Sequence, residues 1–299
     1  MALQRIPKHK SVLTQEVLTY LDPKPGKTYI DVTFGSGGHT RAILEKEPTC
    51  KVIALDWDAQ ALETYGPEMQ QEFGDRLQLV WGNFGLLYKI IKKEKITKID
   101  GILADFGTSQ VQILQRAGFS VYRDTPLDMR MSPSHQRITA ADILNTSSEQ
   151  KLCEIFWQLG EETRARSVVR VILQERIKKP ITTTGQLVDI VESVLGGPAG
   201  RRIHPATKIF QALRMYVNKE LDNIHAFLSS AVTVINKGGR LVCISFHSLE
   251  DRAVKQFFKE QEQMRVLTVL TPKGVVSSEQ ELHENASARS ARLRAAEIA

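Results

Sequence analysis

Residues 31–39 read DVTFGSGGH and place three glycines, Gly35, Gly37 and Gly38, beside His39. Between an apolar run and a helical pattern, such a segment lets the backbone turn tightly and approach a ligand closely. The dinucleotide fingerprint G-x-G-x-x-G needs glycine at position 40, where Thr40 stands, and no phosphate-cradling G-x-x-x-x-G-K-[ST] is present. The loop therefore suits a nucleoside better than a pyrophosphate. Asp56 ends the next apolar run, 21 residues after Gly35, and a carboxylate there can accept both hydroxyls of a ribose. Phe84, in the segment GNFG, offers a ring for an adenine. Asp105 ends a further apolar run, IDGILAD. Ligands of open parallel sheets sit outside the carboxyl ends of strands, so Asp105 is placed to meet the other end of the ligand or an incoming nucleophile. These residues predict S-adenosyl-L-methionine as cofactor. A dinucleotide-dependent oxidoreductase would need the glycine that Thr40 replaces.

The elements that must hold these residues follow from periodicity. Short apolar runs at 28–33, 51–56, 77–81 and 99–105 read as strands and alternate with helical patterns, which argues for a parallel sheet flanked by helices. From about 113 to 203 helical patterns replace the strands; Ala165, Val168, Val169, Ile172 and Ile177 recur close to a 3.6-residue period. A long helical stretch is expected from 205 to 236. Strands resume at 240–245 (RLVCIS), and 265–270 reads as the last one. The economical fold is α/β, a mostly parallel Rossmann-like sheet formed by residues 1–112 and 204–299. An all-helical domain, residues 113–203, is inserted after the fourth strand and is expected to recognise substrate.

The bulk numbers bound the partners. The chain has 299 residues and a formal net charge of +6, which permits contact with phosphates but does not require it. Cys50, Cys153 and Cys243 are too few and too widely spaced for a disulfide framework or a metal cluster, so no metal is expected. MALQRIPKHK lacks the apolar core of a secretory signal, and no run approaches the ~18 apolar residues of a membrane span. The expected location is the cytoplasm, with no membrane partner.

Longer motifs are more specific. TFGSGGHTRAIL (33–44), GFS (118–120), PLDMRM (126–131), HPAT (204–207), FQALR (210–214), GGRLVCISFHSLEDR (238–252) and RSARLRAAE (289–297) follow one another in order. Over nearly its whole length the chain resembles the small-subunit (16S) ribosomal RNA cytosine-N4 methyltransferases of the MraW type. The resemblance implies a class I methyltransferase core with an inserted helical domain. It implies methylation of the exocyclic N4 of one cytidine in the decoding region, with small-subunit rRNA or the small ribosomal subunit as partner. Its cofactor positions fall on Gly37, Gly38, His39, Asp56, Phe84, Asp105 and Gln112. The chain departs from the family pattern at Val32 and Thr125, each in place of glycine, at Trp57 in place of arginine, and across 106–112 (FGTSQVQ). A non-catalytic RNA-binding or assembly factor on the same fold, and a methyltransferase with another nucleic-acid target, remain alternatives. The oligomeric state is open, with a homodimer among the options.

The implied reaction sets its own demands. A sulfonium donor is already activated, so in-line positioning supplies much of the rate. The cytosine N4 lone pair is delocalised into the ring. An acceptor on its hydrogens would localise that pair and take the proton as charge develops. Asp105, or the backbone carbonyls beside it, is the first candidate. Asp128 is the second, with a structural pairing to Arg130 as its competing reading. His247 is the third, while Ser248 and Asp251 match a helix-capping S-x-x-D. Basic residues along 164–179, Arg164 and Arg166 among them, and Arg289 and Arg292 near the end of the chain are candidates for RNA phosphates.

Overall fold

The computed structural model describes residues 11–108, 116–200 and 203–299. The chain forms two compact units, Met1–Gly107 with Leu221–Ala299, and Thr108–Glu220.

The first unit is an eight-stranded sheet with helices on both faces. Its strands are β1 (Thr28–Asp31), β2 (Lys51–Asp56), β3 (Leu77–Trp81), β4 (Gly101–Asp105), β5 (Arg240–Ser245), β6 (Leu267–Val269), β7 (Val275–Val276) and β8 (Arg292–Ile298). They lie in the order β3-β2-β1-β4-β5-β8-β6, with β7 paired to β8. The first five are parallel, whereas β8 runs antiparallel to both β5 and β6. Unbroken apolar runs such as VIAL of β2 and LVCI of β5 are what a sheet covered on both faces requires. Successive residues serve opposite cores. Ile30, Ile53, Leu55, Ile102, Leu241 and Cys243 face the helices Leu87–Lys93, Glu220–Val234 and Ser248–Gln263. Tyr29, Val52, Ala54, Leu103, Val242 and Ile244 face the helices Thr14–Leu21, Gly38–Lys46 and Ala59–Phe73.

Two strands escaped the sequence reading, the two-residue β7 and the longer β8. The run 265–270 yields only the short β6, and the chain then returns as β8 between β5 and β6. RLRAAEI is poor in β-branched residues and rich in helix formers, so propensity argues against a strand. Pairing on both edges wins, because Leu293 and Ala295 enter one core while Ala296 and Ile298 enter the other.

The second unit packs the helices Ala140–Thr146, Glu149–Gln158, Ala165–Lys178, Thr184–Leu195 and Thr207–Asn218 around their own core. Capping boxes start two of them, Thr139 with Asp142 and Thr183 with Gln186. The unit's limits differ from the expected 113–203: it begins at Thr108 and runs to Glu220. The predicted single helix from 205 to 236 is two helices, broken at Lys219, which is left-handed at φ 51°. The fully buried Asn218 anchors the break. Its amide donates to the carbonyls of Met129 and Arg214 and accepts from Met131 N–H. Ile209, Phe210 and Leu213 therefore belong to the inserted core and not to the sheet.

Candidate active site

The strand order reverses between β1 and β4, and a crevice opens there beyond their carboxyl ends. Asp31, fully buried at the end of β1, organises it. One carboxylate oxygen accepts from the Thr40 hydroxyl at 2.7 Å and the other from Thr33 N–H at 3.1 Å. Thr40, absent from the dinucleotide pattern, is thus the partner that a buried aspartate needs. Burial pushes the Asp31 pKa up. The Thr33 hydroxyl in turn accepts from the backbone N–H of Asp105 at 2.7 Å, which ties the end of β4 to the loop after β1.

His39 and Asp105 meet in this crevice. His39 Nε2 lies 3.5 Å from Asp105 Oδ2, an ion-pair contact too long for a good hydrogen bond. Burial works to lower the His39 pKa, but the Asp105 and Asp31 carboxylates outweigh it and the net shift is upward. Both ring nitrogens of His39 and Oδ1 of Asp105 are buried without a hydrogen-bond partner among the described residues.

Asp56 closes the neighbouring side at the end of β2. It accepts from Gly35 N–H and Asp58 N–H, both at 2.7 Å, and so links the glycine loop to the second strand. A carboxylate has about four acceptor sites, so roughly half remain for a ligand. Burial raises its pKa to about 6. The cap of the following helix is Asp58, whose side chain accepts from Gln60 N–H.

The three glycines have separate reasons. Gly35 is left-handed at φ 55° and has only the Thr33 carbonyl near its missing Cβ, at 3.9 Å, which leaves it open for close approach. Gly37, at φ 80°, has Met69 Sδ and the Phe34 ring where a Cβ would stand, and Gly38 has the Ser11 hydroxyl. Those two serve the protein's own packing. Val32, where the resemblance expects glycine, is buried in the sheet core. Phe84 is held edge-on and tilted against Phe227 and Phe106 at 5.8 and 5.7 Å, one side of an aromatic cluster.

Other expected site residues are engaged elsewhere. Asp128, in the second unit, forms a two-point pair with Arg130 at 2.7 and 2.8 Å. Burial alone would raise its pKa, but Arg130 prevails and lowers it, which makes it a weak base. His247 is itself the helix cap, one residue before the expected Ser248: its Nδ1 accepts from Glu250 N–H, and Glu250 answers the backbone N–H of Phe246 and His247. Asp251, expected to cap, instead holds Arg294 at 2.6 and 3.1 Å. Arg164 and Arg166 are exposed, and their guanidinium groups have no partner among the described residues. Arg289 is exposed too, and Arg292 donates to the Lys273 carbonyl. Gln112 lies outside the described residues.

Sequence reasoning missed Asp31, Thr33 and Thr40 as organisers. Asp31 was visible only as an acid at the end of an apolar strand. It also missed Trp57, whose indole nitrogen is buried without a partner among the described residues immediately after Asp56.

A glycine turn after the first strand, an acid after the second, an acid after the fourth and a reversed strand inserted beyond the fifth define a class I S-adenosylmethionine-dependent methyltransferase. The donor set fits that cofactor, since buried unpartnered polar atoms and the spare acceptor sites of Asp56 face one crevice. Within the class, the chain belongs to the MraW methylase family, whose model matches residues 7–299. It is 44% identical over 306 residues to the ribosomal RNA small subunit methyltransferase H of Syntrophotalea carbinolica, covering 96% of this chain and 97% of that protein. The protein of the same name from Thermomicrobium roseum is 44% identical over 97% of this chain and 93% of its own length. That from Thermotoga neapolitana is 43% identical over 97% and 96%.

Proposed function

We propose that this protein methylates the exocyclic N4 of a cytidine in the decoding region of small-subunit ribosomal RNA. The observation that carries the reading is Asp105 Oδ1, a buried carboxylate oxygen without a partner at the β1–β4 crevice. Such an atom is costly to maintain unless a donor fills it. An amino group that must lose a proton is a donor of the right kind.

S-adenosylmethionine supplies the electrophilic methyl carbon. Asp56 accepts the ribose hydroxyls, Gly35 allows close approach, and Phe84 borders the adenine. With the cofactor bound, Asp105 would accept one N4–H, orient the lone pair toward the methyl carbon and take the proton as the N–C bond forms, while the S–C bond breaks and its electron pair stays on the departing thioether sulfur. His39, whose Nε2 lies 3.5 Å from Asp105 Oδ2, flanks and orients that carboxylate. The exposed arginines of the inserted unit, Arg164 and Arg166, with Arg289 and Arg292, contact RNA phosphates. Among the described residues no helix is long and apolar enough to cross a membrane. The proposed place of action is the cytoplasm, on rRNA or the small subunit.

Two measurements test this. Nucleoside mass spectrometry of small-subunit rRNA from cells lacking the protein should show loss of N4-methylcytidine; an unchanged level refutes the acceptor. Asp105→Asn should lower kcat at saturating cofactor by ~10²-fold or more. Full recovery of kcat at high cofactor would reduce Asp105 to a cofactor ligand.

A further inference from the structure

A second concavity lies in the same unit, beyond the end of β5. It has a volume of about 640 Å³, within the usual range of ligand sites. Ser245 to Ser248, Asp251 and Lys255 line one side, and Pro272, Lys273, Ser290, Arg292 and Arg294 the other. Four of these residues are cationic and one is a carboxylate. That carboxylate, Asp251, is taken by the buried Arg294 at 2.6 Å, while Arg292 reaches it only at 3.9 Å and is 42% exposed. The ammonium groups of Lys255 and Lys273 are exposed and have no ion-pair partner among the described residues. At the wall, Ser245 is 1% exposed and its hydroxyl lacks a hydrogen-bond partner among those residues. A pocket with surplus positive charge and a buried spare hydroxyl is chemically suited to a tetrahedral oxyanion.

Strand register locates it. Asp105 pairs with Ile244, the residue before Ser245, and Ser245 pairs with Arg292 on β8. Neighbouring strands are ~4.8 Å apart, so the pocket begins one strand from Asp105 and its arginine lies about two strands away. That is the reach of a single nucleotide. We propose that this pocket seats one backbone phosphate of the substrate RNA, adjacent to the nucleotide held at Asp105, with Lys255, Lys273, Arg292 and the Ser245 hydroxyl as its contacts. The proposal rests on the RNA reading above and adds a subsite to it. Seating the flanking phosphate fixes the strand's register, so that one cytidine and not its neighbour faces Asp105.

The test uses the full chain with Lys255→Ala/Lys273→Ala and, separately, Lys255→Arg/Lys273→Arg. Fluorescence anisotropy measures binding of a labelled single-stranded oligoribonucleotide containing cytidine across a range of salt. The alanine pair should raise Kd ~10-fold or more and flatten the slope of log K against log salt by between about 0.7 and 1, the loss of one phosphate. The arginine pair should bind as the parent does, and all three proteins should share one melting temperature and one S-adenosylmethionine affinity. An alanine pair with the parent's Kd and slope, or a parent that does not bind the oligonucleotide, overturns the assignment. So does 5′-cytidine monophosphate binding the parent as tightly as the oligonucleotide, which would make the pocket a mononucleotide site. Methyl transfer to small subunits by the parent is scored separately. Its failure would sink the rRNA reading while the anisotropy series still judges the pocket.

Discussion

Acidification through pH 6 should loosen the cofactor and relieve the fold together, because one group controls both. Burial raises the Asp56 carboxyl from an ordinary 3.8 to about 6, against the pull of hydrogen bonds from Asp58 and Gly35 N–H. Its folded pKa therefore lies above its unfolded one. The ionised form is penalised in the fold at neutral pH by about 3 kcal/mol, and this penalty fades as pH falls from about 6 to about 4. Cofactor binding has the opposite sign. Ribose hydroxyls need the carboxylate's spare lone pairs, and a proton occupies one of them. The apparent Kd scales with the inverse of the ionised fraction, so it should rise ~10-fold at pH 5 and change little between pH 7 and pH 8. Isothermal titration with S-adenosylmethionine from pH 5 to pH 8 measures it. Asp56→Asn serves as the control and should bind weakly with a flat profile. The stability of the parent relative to Asp56→Asn, from urea melts, should increase over the same acid limb. A parent Kd that is flat or tightens toward pH 5 refutes the assignment of Asp56 to the ribose.

Two further predictions separate structure from chemistry. Gly37→Ala should cost about 2–4 kcal/mol in a denaturant melt, since the new Cβ meets Met69 and Phe34 at a left-handed φ. Gly35→Ala should cost only about 1–2 kcal/mol and act mainly on cofactor affinity; equal losses of stability would refute the division between the two glycines. Asp128→Asn should destabilise the protein by about 1–3 kcal/mol through the lost Arg130 pair. A hundredfold drop in kcat at unchanged stability would return Asp128 to the reaction.

The sequence made the sheet's first five strands legible because each is a short, largely apolar run, four of them ending at a polar residue, as in KVIALD. It concealed β8, whose RLRAAEI carries helix-forming residues and becomes a strand only because two edges await it. The inserted unit was visible as a pause in the strand pattern, but its end was not. Helical periodicity runs across 207–218 and 220–234 alike, and the break depends on Asn218 finding partners that are distant in sequence. The same limit applies to the site. Gly35, Asp56 and Asp105 carry local signals, whereas the pairing of Thr40 with Asp31 and the diversion of Asp128 to Arg130 are decided by geometry. A residue type states what chemistry a side chain can do, and only its neighbours decide whether it is free to do it.

That distinction is sharpest in where the first unit leaves polar atoms unsatisfied. Buried side-chain atoms without a hydrogen-bond partner among the described residues include both nitrogens of His39, the indole nitrogen of Trp57, Oδ1 of Asp105 and the Ser245 hydroxyl, whereas His247 Nε2 faces Glu250 Oε1 at 3.2 Å. Each lies just past the carboxyl end of β1, β2, β4 or β5, on the edge where the strand order reverses. An evenly distributed defect would read as imperfect packing. A defect confined to one edge of an otherwise satisfied sheet is a cost the fold tolerates because ligands cancel it. On this argument the crevice at Asp105 and the basic pocket beyond Ser245 are two places on that edge where a bound donor or anion would cancel the cost of a buried, unpartnered atom.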